Sequence, residues 1–211
     1  MSNLGPDEAE PLGRRERNKR RVRERLYSSA IELFIQKGYE QTSVDEIAEA
    51  ADVARGTFFN HFQRKEDLIT AWEERRRQHL TENWKNLSMA QRGDVRTTLG
   101  RLMDYLAAMN EAEGEIARAM LAAWVRAGRP LDEEPYSAGI FTEVVEAARQ
   151  RGEIPSHIDS VQAGLLIRDA YLGALYRWSR VPAGTSGLRA ELNAITRIIL
   201  EGIGSGELAK P

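Results

Sequence analysis

The sequence predicts an all-α fold of about nine helices, with a short three-helix unit near the N-terminus and a larger helical body after it. Apolar residues recur at spacings of three and four along most of the chain, which is the period of an amphipathic helix. No run of alternating apolar and polar residues indicates a strand. Several of the periodic segments end at a glycine, as at Gly38, Gly128 and Gly152.

Composition narrows the possible functions. The chain of 211 residues is 42% hydrophobic and 29% charged, as expected of a globular protein. It shows no signal-peptide segment and no stretch near the ~18 apolar residues of a membrane span, so we expect it in the cytoplasm, without a membrane partner. The absence of cysteine excludes disulfides and thiolate metal sites. The histidines lack metal-ligand spacing, and we expect neither a metal nor a cofactor.

Charge is distributed unevenly along the chain. Residues 1–13 contain glycines and prolines with few apolar groups, and we predict that they are disordered. Between Arg14 and Arg25 there are eight basic and two acidic residues, a local charge of +6 in a chain whose formal net charge is −2. A basic segment on an acidic body suits contact with nucleic acid. The alternative is an ordinary solvated helix face.

Residues 14–64 are predicted to form the three-helix unit. The first helix is basic at its start and apolar on one face from Leu26 onward. A second helix begins at Thr42 or Ser43, and Ser43 has the capping-box spacing with Glu46. A third begins at Arg55 and turns two phenylalanines, four residues apart, inward. The last two helices and their tight turn have the size of a helix-turn-helix, whose second helix enters the DNA major groove.

The exposed residues of this third helix are predicted to read DNA bases. Arg55 can donate two hydrogen bonds to guanine, and Asn60 can pair with adenine. Gly56 lets the backbone approach closely, and Thr57 offers a hydroxyl and a methyl group. Better placed for phosphates, which position a protein without reading sequence, are Thr42, Ser43, His61 and Lys65. For His61 the alternative is a hydrogen bond to the start of the fourth helix.

These motifs resemble the N-terminal domain of the TetR family of bacterial transcriptional regulators. The resemblance covers roughly a quarter of the chain, from the basic first helix to the start of the fourth helix. It rests on the pair Gly38-Tyr39 and on the segments TSVDEIAEAA, GTFFNHF and KEDL.

The resemblance also implies roles for individual residues. The positions that face bases in relatives correspond to Arg55, Gly56 and Thr57. The positions that face the DNA backbone correspond to Phe59, His61 and Lys65. Three residues depart from the usual pattern, namely Asp52 in place of Gly, Ala54 in place of Ser and Phe59 in place of Tyr. Phe59 lacks the hydroxyl that often binds phosphate in relatives.

Residues 65–211 are predicted to form a ligand-binding and dimerisation domain. The resemblance implies a pocket for a small, often apolar ligand among the middle helices. The residues with suitable side chains are Met103, Met120, Trp124, Phe141 and Tyr171. The alternative for each is core packing, because Met and aromatic residues at helical spacing most often belong to a core. Arg168 and Asp169 lie within an apolar helix and suit either a polar ligand group or an ion pair between protomers.

The last two helices, residues 159–180 and 188–203, carry more apolar residues than one buried face needs. A helix that is apolar nearly all round is covered on more than one side. We expect one side to meet the core of the protomer and the other a second copy. The resemblance implies the same, because family members dimerise through a four-helix bundle of these two helices from each chain. The alternative is a monomer with a well-filled core.

These features together predict a homodimeric, sequence-specific transcriptional regulator. We expect a repressor that releases a palindromic, double-stranded operator when a small-molecule ligand shifts the fourth helix, which is long enough to be shared by both domains. One alternative is a DNA-binding protein without an effector, constitutive or architectural. An enzyme is not expected, because the chain has no Cys nucleophile, P-loop, dinucleotide fingerprint or zinc-protease motif.

Overall fold

The computed structural model describes residues 13–86, 93–128, 136–181 and 187–202. Within these ranges the chain forms nine α-helices and no strand, which confirms the predicted all-α class. The helices are α1 (Arg14–Lys37), α2 (Val44–Ala50), α3 (Arg55–Phe59), α4 (Glu66–Asn86), α5 (Val95–Glu113), α6 (Glu115–Arg126), α7 (Tyr136–Gln150), α8 (Ser160–Arg180) and α9 (Leu188–Glu201). Of the helices in the described ranges, none combines the length and the apolar character needed to cross a membrane.

The chain divides into two compact units, Met1–Leu68 and Ile69–Pro211. Helix α4 begins in the first unit with Glu66 and continues in the second. The segment predicted to be disordered, residues 1–13, lies outside the described residues apart from Gly13. The DNA-binding and ligand-binding roles assigned to the two predicted domains stay predictions at this stage.

Helix α1 is buried only along its second half. Its buried side chains are Leu26, Tyr27, Ala30 and Phe34. Residues 14–25 are exposed, apart from the half-buried Val22. Gly38 ends the helix as predicted, with a φ of 86° that glycine adopts more easily than other residues, and its N–H donates to the Phe34 carbonyl at 3.0 Å.

The N-terminus of α2 is closed by the predicted capping box. The Glu46 N–H donates to Ser43 Oγ at 3.2 Å, and the Ser43 N–H donates to Glu46 Oε2 at 2.9 Å. Hydrogen bonds from Lys37 and Ser43 hold the pKa of the Glu46 carboxyl at about 2, so the group is charged at neutral pH. The box thereby satisfies two N–H groups that the start of a helix leaves unpaired.

Helix α3 is only five residues long, and two buried rings hold it in place. These are the phenylalanines predicted to face inward, Phe58 and Phe62, whose ring centroids are 5.7 Å apart. The turn before α3 contains Asp52 with a φ of 51°, at a position where the family resemblance expects Gly. Asp tolerates this left-handed conformation better than most residues, which explains how the turn closes without Gly.

In the second unit, α8 packs most extensively against α7, and α9 packs against α5. Helices α7 and α8 approach closely at Gly164. A Cβ at that position would lie 2.7 Å from the Thr142 backbone nitrogen and 2.9 Å from the Ala138 carbonyl oxygen. The helix that Gly164 allows to approach is therefore α7 of the same chain.

We expect Ser43→Ala to lower the free energy of unfolding of the first unit by about 1 kcal/mol, within a range of about 0.5–2 kcal/mol, because the N-cap acceptor is lost. Urea unfolding followed by circular dichroism measures the change. Ser28→Ala, at an exposed position within α1, is the matched control and should leave stability unchanged or slightly higher, since Ala favours helix. Equal losses in the two variants would contradict a specific role of the capping box.

Candidate nucleic-acid interface and effector cavity

The solvent-facing surface of α3 carries the residues predicted to read bases. Arg55, Gly56 and Asn60 are exposed, and Thr57 is half-buried. A Cβ added to Gly56 would meet no atom within 4 Å, so the described part of the chain leaves room for another molecule there. The structure therefore brings these four residues together on one short helix and its C-terminal cap.

Arg55 is oriented by two neighbours, only one of which belongs to the predicted site. Its Nη1 donates to Asp45 Oδ2 of α2 at 3.1 Å, and its guanidinium carbon lies 5.8 Å from the centroid of the Phe59 ring. Both side chains of the ion pair are largely exposed, at 65% and 60%. An exposed pair of this kind contributes at most about 1 kcal/mol. A guanine edge can therefore replace Asp45 as the partner of Arg55 at small cost.

Phe59 is the position that faces the DNA backbone by resemblance. It is 44% exposed, and its ring packs edge-on against the buried Phe58 with the centroids 5.5 Å apart. Without a hydroxyl it donates no hydrogen bond to a phosphate. Besides Phe58, its ring lies near the guanidinium of Arg55, which it helps to orient.

Three of the residues predicted to contact phosphates already have partners within the first unit. Thr42 is buried, and its Oγ1 donates to the Gly38 carbonyl at 2.9 Å. Ser43 belongs to the capping box. Lys65 Nζ donates to the carbonyls of Tyr39 at 2.8 Å and Thr42 at 3.0 Å. These bonds hold the loop before α2, so the predicted phosphate contacts of Thr42 and Lys65 require their side chains to exchange partners.

His61 differs from these residues because its Nδ1 is buried without a hydrogen-bond partner. Burial lowers the pKa of the imidazole below its ordinary value of 6.5, and the positive charges of Arg23 and Lys19 lower it further. The loop before α4 is held by a different group, Asp67, whose Oδ2 accepts from the N–H groups of Gln63 and Arg64 at 2.7 and 3.0 Å. His61 is therefore neutral at pH 7 although two cations lie near it.

The second unit contains a small cavity of about 70 Å³ bordered by α4, α5, α6, α7 and α8. Its apolar walls come from Trp72, Leu80, Leu106, Met109, Leu121, Trp124, Leu172 and Leu175. Its polar lining comes from Glu73, Arg76, Ser137, Arg168 and Tyr171. Pockets for drug-sized ligands measure roughly 300–1,000 Å³, so a ligand of that size requires the walls to move apart.

The residues predicted to line a pocket divide into two groups. Trp124 and Tyr171 border the cavity. Met103, Met120 and Phe141 are fully buried and are not among the residues that border it. These three residues therefore belong to the packed core, which was the alternative to a pocket wall in the sequence analysis. Helical period identifies the buried face of a helix, but it does not distinguish a packed core from a cavity wall.

A buried polar network borders the same cavity. The sequence did not predict it. Arg76 Nη1 donates to Glu113 Oε2 at 2.7 Å, and Arg76 Nη2 donates to Asn110 Oδ1 at 2.8 Å. Asn110 Nδ2 donates to the Tyr171 hydroxyl at 3.1 Å, and Trp72 Nε1 donates to Glu113 Oε2 at 3.3 Å. The network joins α4, α5 and α8. Its one sequence signal is Asn110, a polar residue in the apolar stripe of α5.

Burial makes this network sensitive to the loss of any member. The Arg76 side chain is 8% exposed, and its guanidinium carbon lies 4.7 Å from the Trp72 ring centroid. Removing one partner of a fully buried ion pair typically costs about 3–5 kcal/mol, and the cost is lower here because the Glu113 side chain is 31% exposed. Arg168 also borders the cavity, and its Nη1 donates to Asp169 Oδ1 of the same chain at 2.9 Å. A buried Arg76 and a half-buried Arg168 beside an apolar cavity suit a ligand that combines an apolar body with an anionic group.

Comparison with known proteins assigns the chain to a family. Residues 26–72 match the family model of bacterial regulatory proteins, tetR family. Over 155 residues the chain is 34% identical to the HTH-type transcriptional regulator TcmR of Streptomyces glaucescens, and the alignment covers 58% of this chain and 67% of TcmR. The chain belongs to the TetR family. The resemblance predicted from the helix-turn-helix motif is thereby confirmed.

Two further relatives of this TetR family protein cover most of its length. The probable acrEF/envCD operon repressor of Escherichia coli K12 is 26% identical over 180 residues, which cover 78% of this chain and 79% of the repressor. The crystal structure of Thermus thermophilus FadR, a TetR family transcriptional repressor in complex with lauroyl-CoA, is 29% identical with a TM-score of 0.69. It covers 90% of this chain and 98% of FadR.

These relatives confirm the predicted function at the level of a DNA-binding transcriptional regulator of the TetR family. The relatives are regulators rather than enzymes. That this TetR family protein has no catalytic activity of its own stays a prediction.

We expect DNA binding to be coupled to protonation of His61. Phosphates near the ring would favour the charged imidazole, so affinity for duplex DNA should rise as the pH falls from about 7.5 to about 6. Without DNA, a fall in pH should have the opposite effect and destabilise the folded protein. Because the pKa of His61 is lowered by folding, the free energy of unfolding should decrease as the pH falls through about 6.5.

Fluorescence anisotropy of a labelled duplex at constant ionic strength measures the first effect, and urea unfolding measures the second. His61→Gln should flatten both pH profiles. His157→Gln, at an exposed position in the second unit, is the control and should leave both unchanged. An identical pH dependence of DNA binding in the wild type and the His61 variant would contradict the coupling.

Proposed function

We propose that this TetR family regulator is a homodimeric repressor that binds a palindromic operator and releases it when a small ligand enters the cavity of its second unit. The observation that carries the DNA-binding part is the exposed surface of α3, where Arg55, Gly56 and Asn60 are open to solvent. Side chains on the second helix of a helix-turn-helix read base edges in the major groove.

Apolar side chains left exposed in the described chain support a homodimer through α8 and α9. Leu166 of α8 is 61% exposed, and Ile198 of α9 is 49% exposed. A Cβ added to Gly173 would have near it only the end of one arginine side chain, at 3.4 Å, so a second helix has room to approach this face of α8. The proposed interface comprises residues 159–180 and 188–203. Residue 203 alone of the second range lies outside the described residues.

In a two-fold symmetric dimer, the two α3 helices together recognise a symmetric DNA sequence. A two-fold axis relates the two helices, so the bases that they contact must be related by the same axis. Helix-turn-helix dimers read half-sites about one helical turn apart, ~34 Å. A palindromic operator with that spacing, or with the slightly wider spacing expected in this family, matches the proposed assembly.

The proposed ligand has an apolar body and an anionic group. Most walls of the cavity are apolar, and the cations Arg76 and Arg168 face it together with the anion Glu73. Thermus thermophilus FadR forms a complex with lauroyl-CoA, a molecule with an acyl chain and an anionic headgroup. A ligand of this size exceeds the cavity of about 70 Å³, so binding must displace its walls.

Displacement of α4 is the proposed route from ligand to DNA. Trp72, Arg76 and Leu80 of α4 border the cavity, and the same helix begins at Glu66 in the first unit. A ligand that binds more tightly when α4 is displaced than in the DNA-bound arrangement weakens operator binding by the difference in free energy. Couplings of this kind are typically about 1–3 kcal/mol, or roughly 5–150-fold in affinity.

A DNA-binding protein without an effector is the second candidate. The small volume of the cavity favours it, as does the hydrogen-bonded network of Arg76, Asn110 and Glu113, because both describe a filled second unit. The two candidates bind DNA through the same surface of α3. They differ in whether a ligand changes operator affinity.

Selection of binding sites from random duplex DNA, at constant near-physiological salt, tests the DNA-binding part. We expect a palindromic sequence to be enriched. On the recovered operator Arg55→Ala should lose about 1–3 kcal/mol of binding free energy while binding to random DNA changes little. Arg101→Ala, which removes the same charge from α5, should bind both DNAs like the wild type. Recovery of no motif, or of one without two-fold symmetry, would count against the proposal.

Titration of the operator complex with lauroyl-CoA tests the ligand part. Tryptophan fluorescence should change, because Trp72 and Trp124 border the cavity, and operator affinity should fall. Coenzyme A without an acyl chain is the control for the headgroup, and Trp124→Phe should reduce the fluorescence change. A fluorescence change at unaltered operator affinity would refute ligand-induced release by this molecule, and no change with lauroyl-CoA or laurate would favour the second candidate.

A further inference from the structure

The first half of α1 extends the chain beyond the segment that matches the family model. That match begins at residue 26, and the first buried side chain of the helix is Leu26. Residues 14–25, here called the basic helix, continue the same helix for about 18 Å at about 1.5 Å per residue. They include eight basic and two acidic residues and contribute no buried side chain.

The composition of the basic helix suits a polyanion better than any other partner. Lys19 and Arg23 are four residues apart, as are Arg17 and Arg21, and like charges at that spacing repel each other. No apolar face compensates for the repulsion, since Val22 is the one apolar residue of the segment. A membrane-surface helix needs an apolar face, whereas a nucleic acid backbone needs only cations.

The C-terminal end of the basic helix is held beside the helix-turn-helix. Arg23 Nη1 donates to the His61 carbonyl at 2.6 Å, and the guanidinium carbon lies 4.1 Å from the centroid of the buried Phe62 ring. Lys19, one turn earlier, is close enough to His61 to influence its titration. The cations of the basic helix therefore continue the surface on which His61 is predicted to contact phosphate.

We propose that the basic helix is a second contact with duplex DNA, which binds phosphates that flank the half-site read by α3 and does so independently of base sequence. The proposal rests on the proposed function, because α3 must first dock on DNA. The two kinds of DNA contact have different measurable effects. Base contacts by Arg55 determine which duplex is preferred, whereas the basic helix raises affinity for every duplex to the same degree.

The test compares two variants that lose the same charge. The first is Arg14→Gln, Arg15→Gln and Arg21→Gln, which keeps helix-forming residues and touches no buried group. The control is Arg96→Gln, Arg101→Gln and Arg126→Gln, at exposed positions on α5 and α6. Circular dichroism and thermal unfolding of both full-length variants should match the wild type.

Affinity for a random-sequence duplex and for the selected operator is measured by fluorescence anisotropy between about 50 and 200 mM salt. The slope of log affinity against log salt should become shallower by about 2–3 for each chain bound in the basic-helix variant, since each lost phosphate contact changes it by about 0.9. The ratio of operator to random affinity should stay constant. Hydroxyl-radical footprints of the wild type should extend beyond the half-sites, and the variant should lose that extension.

Three results would overturn the proposal. An unchanged salt slope in the basic-helix variant would make the segment a solvated helix face, and the proposed function would still stand if Arg55→Ala lost operator preference. A loss confined to the operator would show base reading rather than phosphate binding. Equal changes in the basic-helix variant and the control would show an effect of net charge alone. If the wild type binds neither duplex, the proposed function fails together with this inference.

Discussion

The burial of Phe58 and Phe62 is the constraint on which the proposed DNA-reading surface depends. A helix of five residues does not form by itself, because nucleation is unfavourable and too few hydrogen bonds follow it. Helix α3 exists because these rings are buried in a unit where α2 packs against both α1 and α3. The same packing sets the direction of Arg55 and Asn60 on the opposite face. The precision with which bases can be read is therefore set by aromatic packing beneath the helix.

Two arginine–carboxylate pairs illustrate how burial changes the meaning of one interaction. The pair of Arg55 and Asp45 is largely exposed and weak, so the cation remains available to a new partner. The pair of Arg76 and Glu113 is held at 2.7 Å with the arginine almost fully buried. Breaking it leaves the buried Arg76 charge without its carboxylate, so the pair favours one arrangement of α4 against α5. The first pair suits recognition, and the second suits a two-state response to a ligand.

A regulator of this kind must be stable and yet able to change. The second unit meets the first requirement with a well-packed core and the close approach of α7 and α8 at Gly164. In the proposed mechanism the small cavity beside Arg76 allows the change, because a ligand that filled it would compete with the contacts that hold α4. The hydrogen bonds among Arg76, Asn110 and Tyr171 stabilise the second unit. The same hydrogen bonds are the ones that a ligand in the cavity would disturb. Ligand affinity in such a site depends on how much of that network the ligand replaces.

The sequence by itself determined the all-α class, the capping box of Ser43 and Glu46 and the inward direction of Phe58 and Phe62. These features depend on residues three or four positions apart, whose geometry the helix sets. Only the tertiary structure decided that Met103 packs in the core while Trp124 borders a cavity, and that Arg76 meets a carboxylate on another helix. Periodicity states which face of a helix is buried. It does not state which distant side chain lies opposite, because that depends on how the helices pack in three dimensions.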